Sequence, residues 1–272
     1  MPSHPHSRSG QKRPFTQGKF PGRAVPGLPA RKKEPPPSPQ RLSELLAFHG
    51  VPQGKPLVDK LWSFHQFLRK HNHDQDLTRL IGFSTIVQRH YADCLILQKW
   101  YAKSWPKTLV DIGSGAGFPG LILKMAAPHV HIILSEPRPR RVDFLNAAIA
   151  HLGLKDIEVF GHKFTSKSFT RPVDGAITRA FETVDKTLPR LMNCIPLGGR
   201  ALFMKGPKGE EETEVANLKD WKLSRKTAYR IPNTTLDRML LEFTRIGVST
   251  GNTSQWEEEE VEGSGEIESD GP

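Results

Sequence analysis

The stretch Leu109–Gly120, LVDIGSGAGFPG, settles the fold of this chain. An apolar run, Thr108–Ile112, leads directly into Gly113, Gly115 and Gly117, with Asp111 just ahead of them. Leu121, Ile122, Leu123 and Met125 then follow at helical spacing. Strand, glycine turn and helix in succession open a nucleotide-type α/β fold. Glycines permit backbone with positive φ and let a ligand approach closely.

The spacing of the glycines narrows the ligand. A dinucleotide fingerprint, G-x-G-x-x-G, needs its third glycine where Phe118 stands. Here that glycine comes one residue early, at Gly117, and no Lys-Ser/Thr pair follows, which excludes a P-loop. D-x-G-x-G-x-G is similar to the first motif of S-adenosylmethionine-dependent methyltransferases, which places that cofactor ahead of NAD. A second apolar run, His131–Leu134, ends at Ser135-Glu136, and Glu136 lies 19 positions after Gly117. A Rossmann-like fold places a carboxylate there, within reach of ribose hydroxyls.

Outward from this motif, short apolar runs alternate with helical patterns. Strands are expected at Thr108–Ile112, Val130–Leu134, Ile157–Phe160, Val173–Thr178 and Arg200–Lys205. Helices are expected at Phe118–Ala127, Arg138–Leu152 and Val184–Cys194. Leu223–Ile231 and Met239–Ile246 supply a closing hairpin, giving a sheet of about seven strands, largely parallel, with helices on both faces. Ahead of it, Arg41–His49, Leu57–Lys70 and Ser84–Ala102 read as helices, with a loop around Asn72–Thr78. The fold expected is a Rossmann-like α/β methyltransferase sheet preceded by a small helical segment.

The boundaries expected are a disordered basic, proline-rich arm at 1–41, the helical segment at 42–105, the sheet domain at 106–248 and a disordered acidic tail at 249–272. The charge of +10 is uneven: residues 1–41 carry +8, residues 252–272 carry −8, and the middle holds the remaining +10. A basic arm beside a basic domain points to a polyanion, RNA or DNA first. The acidic tail is read as able to fold back and compete for that surface. Cys94 and Cys194 are too few for a disulfide framework, no apolar run is long enough to span a bilayer, and the N-terminus has no signal-peptide core. A cytoplasmic monomer is expected. His71 and His73 lack a second pair at ligand spacing, so no metal is expected.

Six segments, taken in order, resemble one family. DLTRL (Asp76–Leu80), QRHYADC (Gln88–Cys94), VDIGSGAGFPG (Val110–Gly120), RRVDFL (Arg140–Leu145), VDGAITRAF (Val173–Phe181) and LFMKG (Leu202–Gly206) are similar to the bacterial 16S ribosomal RNA guanine-N7 methyltransferases, also called the glucose-inhibited division protein B family. Phe118-Pro119-Gly120 and Thr178-Arg179-Ala180 are its most specific elements, and the similarity spans about residues 42–246. It implies S-adenosylmethionine as cofactor and a guanine N7 of small-subunit rRNA, naked or in a ribosomal subunit, as acceptor. It implies cofactor contacts at Gly113, Phe118, Lys163, Phe164 and Arg179, with Glu136 where the family usually has Asp. The family's acid after the third strand is replaced by Lys163-Phe164-Thr165, and its serine after H-x-x-D by Cys94.

The chemistry implied asks little of the protein. Methylating cytosine C5 needs a cysteine nucleophile, and neither cysteine is well placed. Exocyclic amines are commonly served by Asn/Asp-Pro-Pro-aromatic after the fourth strand, where this chain has Ile177-Thr178-Arg179-Ala180. Guanine N7 presents a free lone pair and needs no base, so orientation alone serves it. No catalytic acid or base is expected. Arg179 ends the fourth strand, where open α/β sheets bind ligands, and suits a carboxylate or an RNA phosphate. His90 and Asp93 share a helix face, either orienting a ring near the site or, the reading preferred, packing helix on sheet. Lys205 is either a phosphate contact or a solvated lysine. A methyltransferase for small molecules or proteins, and a cofactor-binding RNA protein without catalysis, remain the alternatives.

Overall fold

The computed structural model describes residues 34–75, 77–169, 172–215 and 218–247. The expectations for most of the basic arm and for the acidic tail lie outside those residues. The helical region begins earlier than the sequence suggests, because Ser38 caps it. The Ser38 hydroxyl accepts from the Arg41 N–H at 3.0 Å, and Pro39 occupies the first turn, where no N–H is needed. Helix α1 therefore runs Pro39–Phe48, and Leu42, Leu45 and Leu46 face inward.

Helix α2 spans Lys55–Gln75, longer than Leu57–Lys70 and extending into the expected loop. The single helix expected over Ser84–Ala102 is instead broken into α3 (Phe83–Ile86), a π-helical stretch (Val87–Ala92), α4 (Asp93–Leu95) and α5 (Gln98–Tyr101). Ile86, Val87, Tyr91, Ala92, Cys94, Leu95, Ile96 and Leu97 are all buried. With apolar residues on nearly every side, periodicity gave no sign of these breaks.

The sheet follows the sequence closely. Strand β1 (Thr108–Ile112) leads through the glycine loop to α6 (Gly120–Ala126), then β2 (His131–Ser135), α7 (Pro139–Leu152) and β3 (Ile157–Phe160). Strand β4 (Gly175–Arg179), α8 (Val184–Leu191) and β5 (Arg200–Lys205) follow. A 3-10 turn, Pro207–Glu210, and α9 (Glu211–Val215) were not foreseen, since the run of glutamates there carries no apolar stripe. The closing hairpin is β6 (Trp221–Arg230) and β7 (Asp237–Arg245). Helix α7 stops where Gly153 turns into the left-handed region at φ +59°, which supplies its C-cap. Helix α8 ends at Leu191, short of Cys194, with Pro189 already inside its last turn.

The strand order is β3-β2-β1-β4-β5-β7-β6. The first five strands are parallel, and β7 enters antiparallel between β5 and β6. The chain leaves β1 toward β2 on one side and later returns to β4 on the other, so the crevice at the carboxyl ends of β1 and β4 is the switch point at which such sheets bind ligands. That edge carries Gly113, Glu136, Arg179 and Lys205.

Alternation along the strands divides the core in two. Leu109, Ile132, Leu134, Ile177, Leu202 and Met204 face α1–α7, and Val110, Ile112, Ile133, Ala176, Ala201 and Phe203 face α8 and the loop bearing Phe164. The helices thus cover both faces, but unevenly. The segments 42–105 and 106–248 are not separate bodies, because from Pro36 the described residues form one compact unit. Phe64 of α2 joins them: its ring lies 5.8 Å from Phe118 of the glycine loop, 6.3 Å from Tyr91 and 6.5 Å from Phe144 of α7. Phe64→Ala opens a cavity at this junction and is expected to cost about 3–5 kcal/mol. Urea unfolding should still show one transition, shifted to lower urea; two separated transitions would show that the helical segment unfolds on its own.

Candidate functional site at the carboxyl edge of the sheet

The glycine loop owes its shape to three residues with positive φ, Gly113 (+74°), Gly115 (+58°) and Gly117 (+91°). A Cβ at Gly113 would meet the Phe181 ring at 2.6 Å, so this glycine lets the residues after β4 close over the loop. Gly120 answers to a different constraint: a Cβ there would meet Leu134 at 2.3 Å and the Asp111 carboxylate at 2.7 Å. Asp111 is fully buried and accepts the Gly120 N–H at 2.9 Å. It therefore ties β1 to the first turn of α6 rather than facing a ligand. Burial pushes its carboxyl up to about 7, against the lowering effect of the Gly120 N–H.

Glu136, at the end of β2, is 3% exposed and aims back at the loop. One carboxylate oxygen accepts the Gly115 N–H at 3.0 Å and the other the Arg138 N–H at 3.1 Å. The Arg141 guanidinium approaches to 3.8 Å. Each oxygen keeps a second lone pair, which suits a vicinal pair of ribose hydroxyls.

Arg179 is the hub of the site. It donates to the Arg89 carbonyl at 3.0 Å and to His90 Nδ1 at 2.9 Å, and it pairs with Asp93 at 3.4 Å. Its guanidinium also lies 5.4 Å from the centre of the Phe118 ring. Since Nδ1 of His90 accepts, Nε2 carries the proton and donates to the Thr78 hydroxyl at 3.1 Å. Burial and the neighbouring Arg179 charge pull the His90 pKa down to about 3, so the ring is neutral. It stacks on Phe118 with centroids 4.3 Å apart. Asp93 also takes the Tyr229 hydroxyl at 3.2 Å and the Arg238 guanidinium at 3.3 Å. His90 and Asp93 thus pack helix on sheet, as preferred from the sequence, and at the same time they frame Arg179.

Beside this cluster a cavity of about 440 Å³ opens at the ends of β4 and β5. Arg89, His90, Arg179 and Phe181 line it, with Lys205 and Glu212 opposite. Lys205 is not a solvated lysine: it is 9% exposed, donates to the Glu182 carbonyl at 2.7 Å and pairs with Glu212 at 2.9 Å. Phe164 is 3% exposed and packs on Phe169 in the second core, so its ring is structural. Lys163, just before it, is exposed. Burial pushes both thiols up, that of Cys194 to about 11, so neither is poised as a nucleophile. Among the described residues no three His, Cys, Asp or Glu side chains converge as metal ligands, and no helix is long and apolar enough to cross a membrane.

Several members of the site carried no local signal. Tyr229 and Arg238 lie on the closing hairpin, and Glu212 lies in a run that reads as charged surface. Only the insertion of β7 beside β5 brings Arg238 to Asp93. Phe181 was within reach of sequence reasoning, since it follows Thr178-Arg179-Ala180 directly.

A Rossmann-like sheet with a glycine loop and a strand-end acid at its switch point is the methyltransferase type of fold expected. The pattern of the rRNA small subunit methyltransferase G family matches residues 57–241, and the chain belongs to that family. The ribosomal RNA small subunit methyltransferase G 2 of Syntrophobacter fumaroxidans is 37% identical over 217 residues, covering 79% of this chain and 43% of the relative. This chain therefore spans less than half of that relative's length. The protein of the same name from Bdellovibrio bacteriovorus is 37% identical over 191 residues, covering 69% and 73%. The ribosomal RNA small subunit methyltransferase G of Lachnoclostridium phytofermentans is 30% identical over 203 residues, covering 71% and 83%.

The buried titratable groups set how stability responds to acid. His65, stacked on Trp62 and bonded to Tyr91, has its pKa pulled down to about 4 by burial, and His90 to about 3. Below pH 6.5 the unfolded chain protonates both, while the folded chain resists. Folded Asp111, titrating near 7, already holds a proton that the unfolded chain takes up only near 3.8. Between pH 6.5 and about 4 the unfolded state therefore binds one net extra proton. Stability falls as pH falls, by about 1.4 kcal/mol per pH unit. His65→Gln removes one of the two uptakes and leaves His90 and Asp111 to cancel. Its urea midpoint should be nearly level across that window, while that of the unmodified protein declines; parallel declines would refute the assignment.

Proposed function

We propose that this protein transfers the methyl group of S-adenosylmethionine to N7 of a guanine in 16S rRNA. The observation that carries the proposal is the placement of Arg179 between two half-sites. On one side lie the glycine loop and the doubly bonded Glu136, on the other the cavity at the ends of β4 and β5.

The residues present suit the cofactor. Glu136 offers free lone pairs toward the open side of Gly115, where a Cβ would meet only the Arg141 guanidinium, at 3.7 Å, and the Gly113 carbonyl, at 3.9 Å. Arg179 Nε is buried and has no acceptor among the described residues, which leaves one N–H for a carboxylate from outside the chain. Gly113, Gly117 and Phe118 shape the loop, and the family resemblance puts Lys163 and Phe164 beside the base of the cofactor. When bound, S-adenosylmethionine supplies an electrophilic methyl on a sulfonium.

The chain's own residues then act by orientation. His90 has both ring nitrogens engaged and titrates near 3, so it does not serve as a base at neutral pH. Asp93 is held by Arg179, Arg238 and Tyr229. A site in which His90 and Asp93, the candidate bases beside Arg179, are both committed matches an acceptor that attacks through a lone pair and loses no proton. Arg89 is exposed at the cavity's rim, and Arg138, Arg140 and Lys163 are exposed along the same carboxyl edge of the sheet, so these cations would meet RNA phosphates; binding should weaken steeply with salt.

The decisive experiment incubates the protein with labelled S-adenosylmethionine and RNA from a strain lacking this activity, then maps label by N7-specific cleavage. Label at one guanine of 16S rRNA is expected. Label only in other molecules, or cofactor binding without transfer, would overturn the proposal. Within the same assay, Arg179→Ala should lower transfer by at least about 100-fold, the order seen when a single transition-state donor is lost. It should also cost about 1–3 kcal/mol of stability, because Asp93 and the His90 ring lose a buried partner. Transfer by a folded Arg179→Ala protein at the wild-type rate would remove Arg179 from the site.

A further inference from the structure

We propose that Glu212, with Lys205 beside it, reads the Watson–Crick edge of the acceptor base and so selects guanine. This rests on the guanine-N7 reading above and names the residues that would confer its base specificity.

The cavity at the ends of β4 and β5 has apolar walls in Leu80, Phe181 and Met204, and its volume of about 440 Å³ is in the range of small-molecule sites. Two carboxylates line it, Asp93 and Glu212. Asp93 is consumed, since its two oxygens already serve Arg179, Arg238 and Tyr229. Glu212 differs. Its bonds to described residues, from the Val184 N–H at 2.9 Å and from Lys205 Nζ at 2.9 Å, both end on Oε2. The side chain remains 23% exposed, so Oε1 can accept from a ligand.

The order of groups matters more than the free lone pairs. Lys205 Nζ has three protons and spends two, on the Glu182 carbonyl and on Glu212. The cavity therefore offers a donor beside a carboxylate, the two joined at 2.9 Å through Oε2 and the acceptor Oε1 left for a ligand. Guanine presents O6, an acceptor, next to N1–H and the N2 amine, both donors. Adenine presents the reverse, a donor amine next to the N1 acceptor. Guanine matches the pair, whereas adenine sets like against like at both positions. N7 lies on the other side of O6 from N1–H, so a base held by this edge keeps its N7 lone pair free for methyl transfer.

The anchoring makes the device rigid. The Val184 N–H is one of the unpaired donors at the start of α8, and Glu212 satisfies it, so the reading carboxylate is fixed to a helix terminus rather than swinging from a loop.

The test compares 16S rRNA bearing guanosine with 16S rRNA bearing inosine at the acceptor position found by N7 mapping. Inosine keeps O6, N1–H and N7 but lacks the N2 amine. The unmodified protein should prefer guanosine by about 10- to 100-fold, because Oε1 accepts both N1–H and the N2 amine of guanine but only N1–H of inosine, and a hydrogen bond to a charged group is worth about that factor. In Glu212→Ala that preference should collapse to within about twofold of unity, with the guanosine rate falling far more than the inosine rate. Glu212→Gln, whose amide oxygen can keep the Val184 N–H bond, provides a second folded variant and should show the same collapse. If both variants slow guanosine and inosine equally, Glu212 merely supports Lys205 and α8, and the inference is wrong. Equal rates on the two RNAs by the unmodified protein would overturn it too, with guanine-N7 methylation intact. Absence of N7 label on guanosine would instead bring down the functional reading on which it rests.

Discussion

The Asp93 carboxylate is the contact on which the rest of the site depends. It is 2% exposed and serves Arg179 from β4, Tyr229 from β6 and Arg238 from β7. Taking one carboxylate and two guanidinium groups out of water is costly, and such an arrangement holds only when every partner stays in place. Four parts of the chain, far apart in sequence, are thereby locked to one another at the carboxyl edge of the sheet. The price of that burial is recovered in geometry: Arg179 is held by three acceptors, so its two remaining N–H groups, on Nη2 and on the buried Nε, have fixed directions. Burial of Tyr229, with the Asp93 charge beside it, raises its phenol and keeps it a neutral donor.

The glycine loop works under a complementary constraint, one of volume rather than charge. Asp111 holds α6 by its first-turn N–H, Gly120 admits that contact, and Gly113 admits Phe181. Phe118 then stands between the two systems, stacked on His90 and packed edge-on against Phe64. A displacement of α2 would reach His90, and through it Arg179, by way of that ring and through Tyr91, which meets both Phe64 and His65. This is why the N-terminal helices share the core of the sheet instead of forming a separate body.

Much of this was legible in the residues themselves. β1, β3 and β5 keep the bounds that their apolar runs indicate, and Glu136 follows β2 directly, 19 positions after Gly117. What sequence reasoning missed has particular causes. The break in the helix around His90 was hidden because buried residues surround that stretch on nearly every side. The packing of the Phe164 ring in the second core was not foreseen, since an aromatic after a strand carries no sign of which layer it joins. Lys205 read equally as a phosphate contact or a solvated lysine, because the partner that buries it, Glu212, comes from an element with no apolar pattern.

The sequence by itself determined the sheet, the glycine turn and the acid that follows it, because these depend on local backbone sterics and on the period-two burial of short strands. Only the tertiary structure decided which polar groups meet. The antiparallel entry of β7 brings Arg238 to Asp93, the 3-10 turn and α9 bring Glu212 to Lys205, and the π-helical turn brings His90 to Arg179. Each of these contacts depends on distant pairing, on a turn between short elements or on a local break in helical period, and neither propensity nor apolar spacing records where such a group will find its partner.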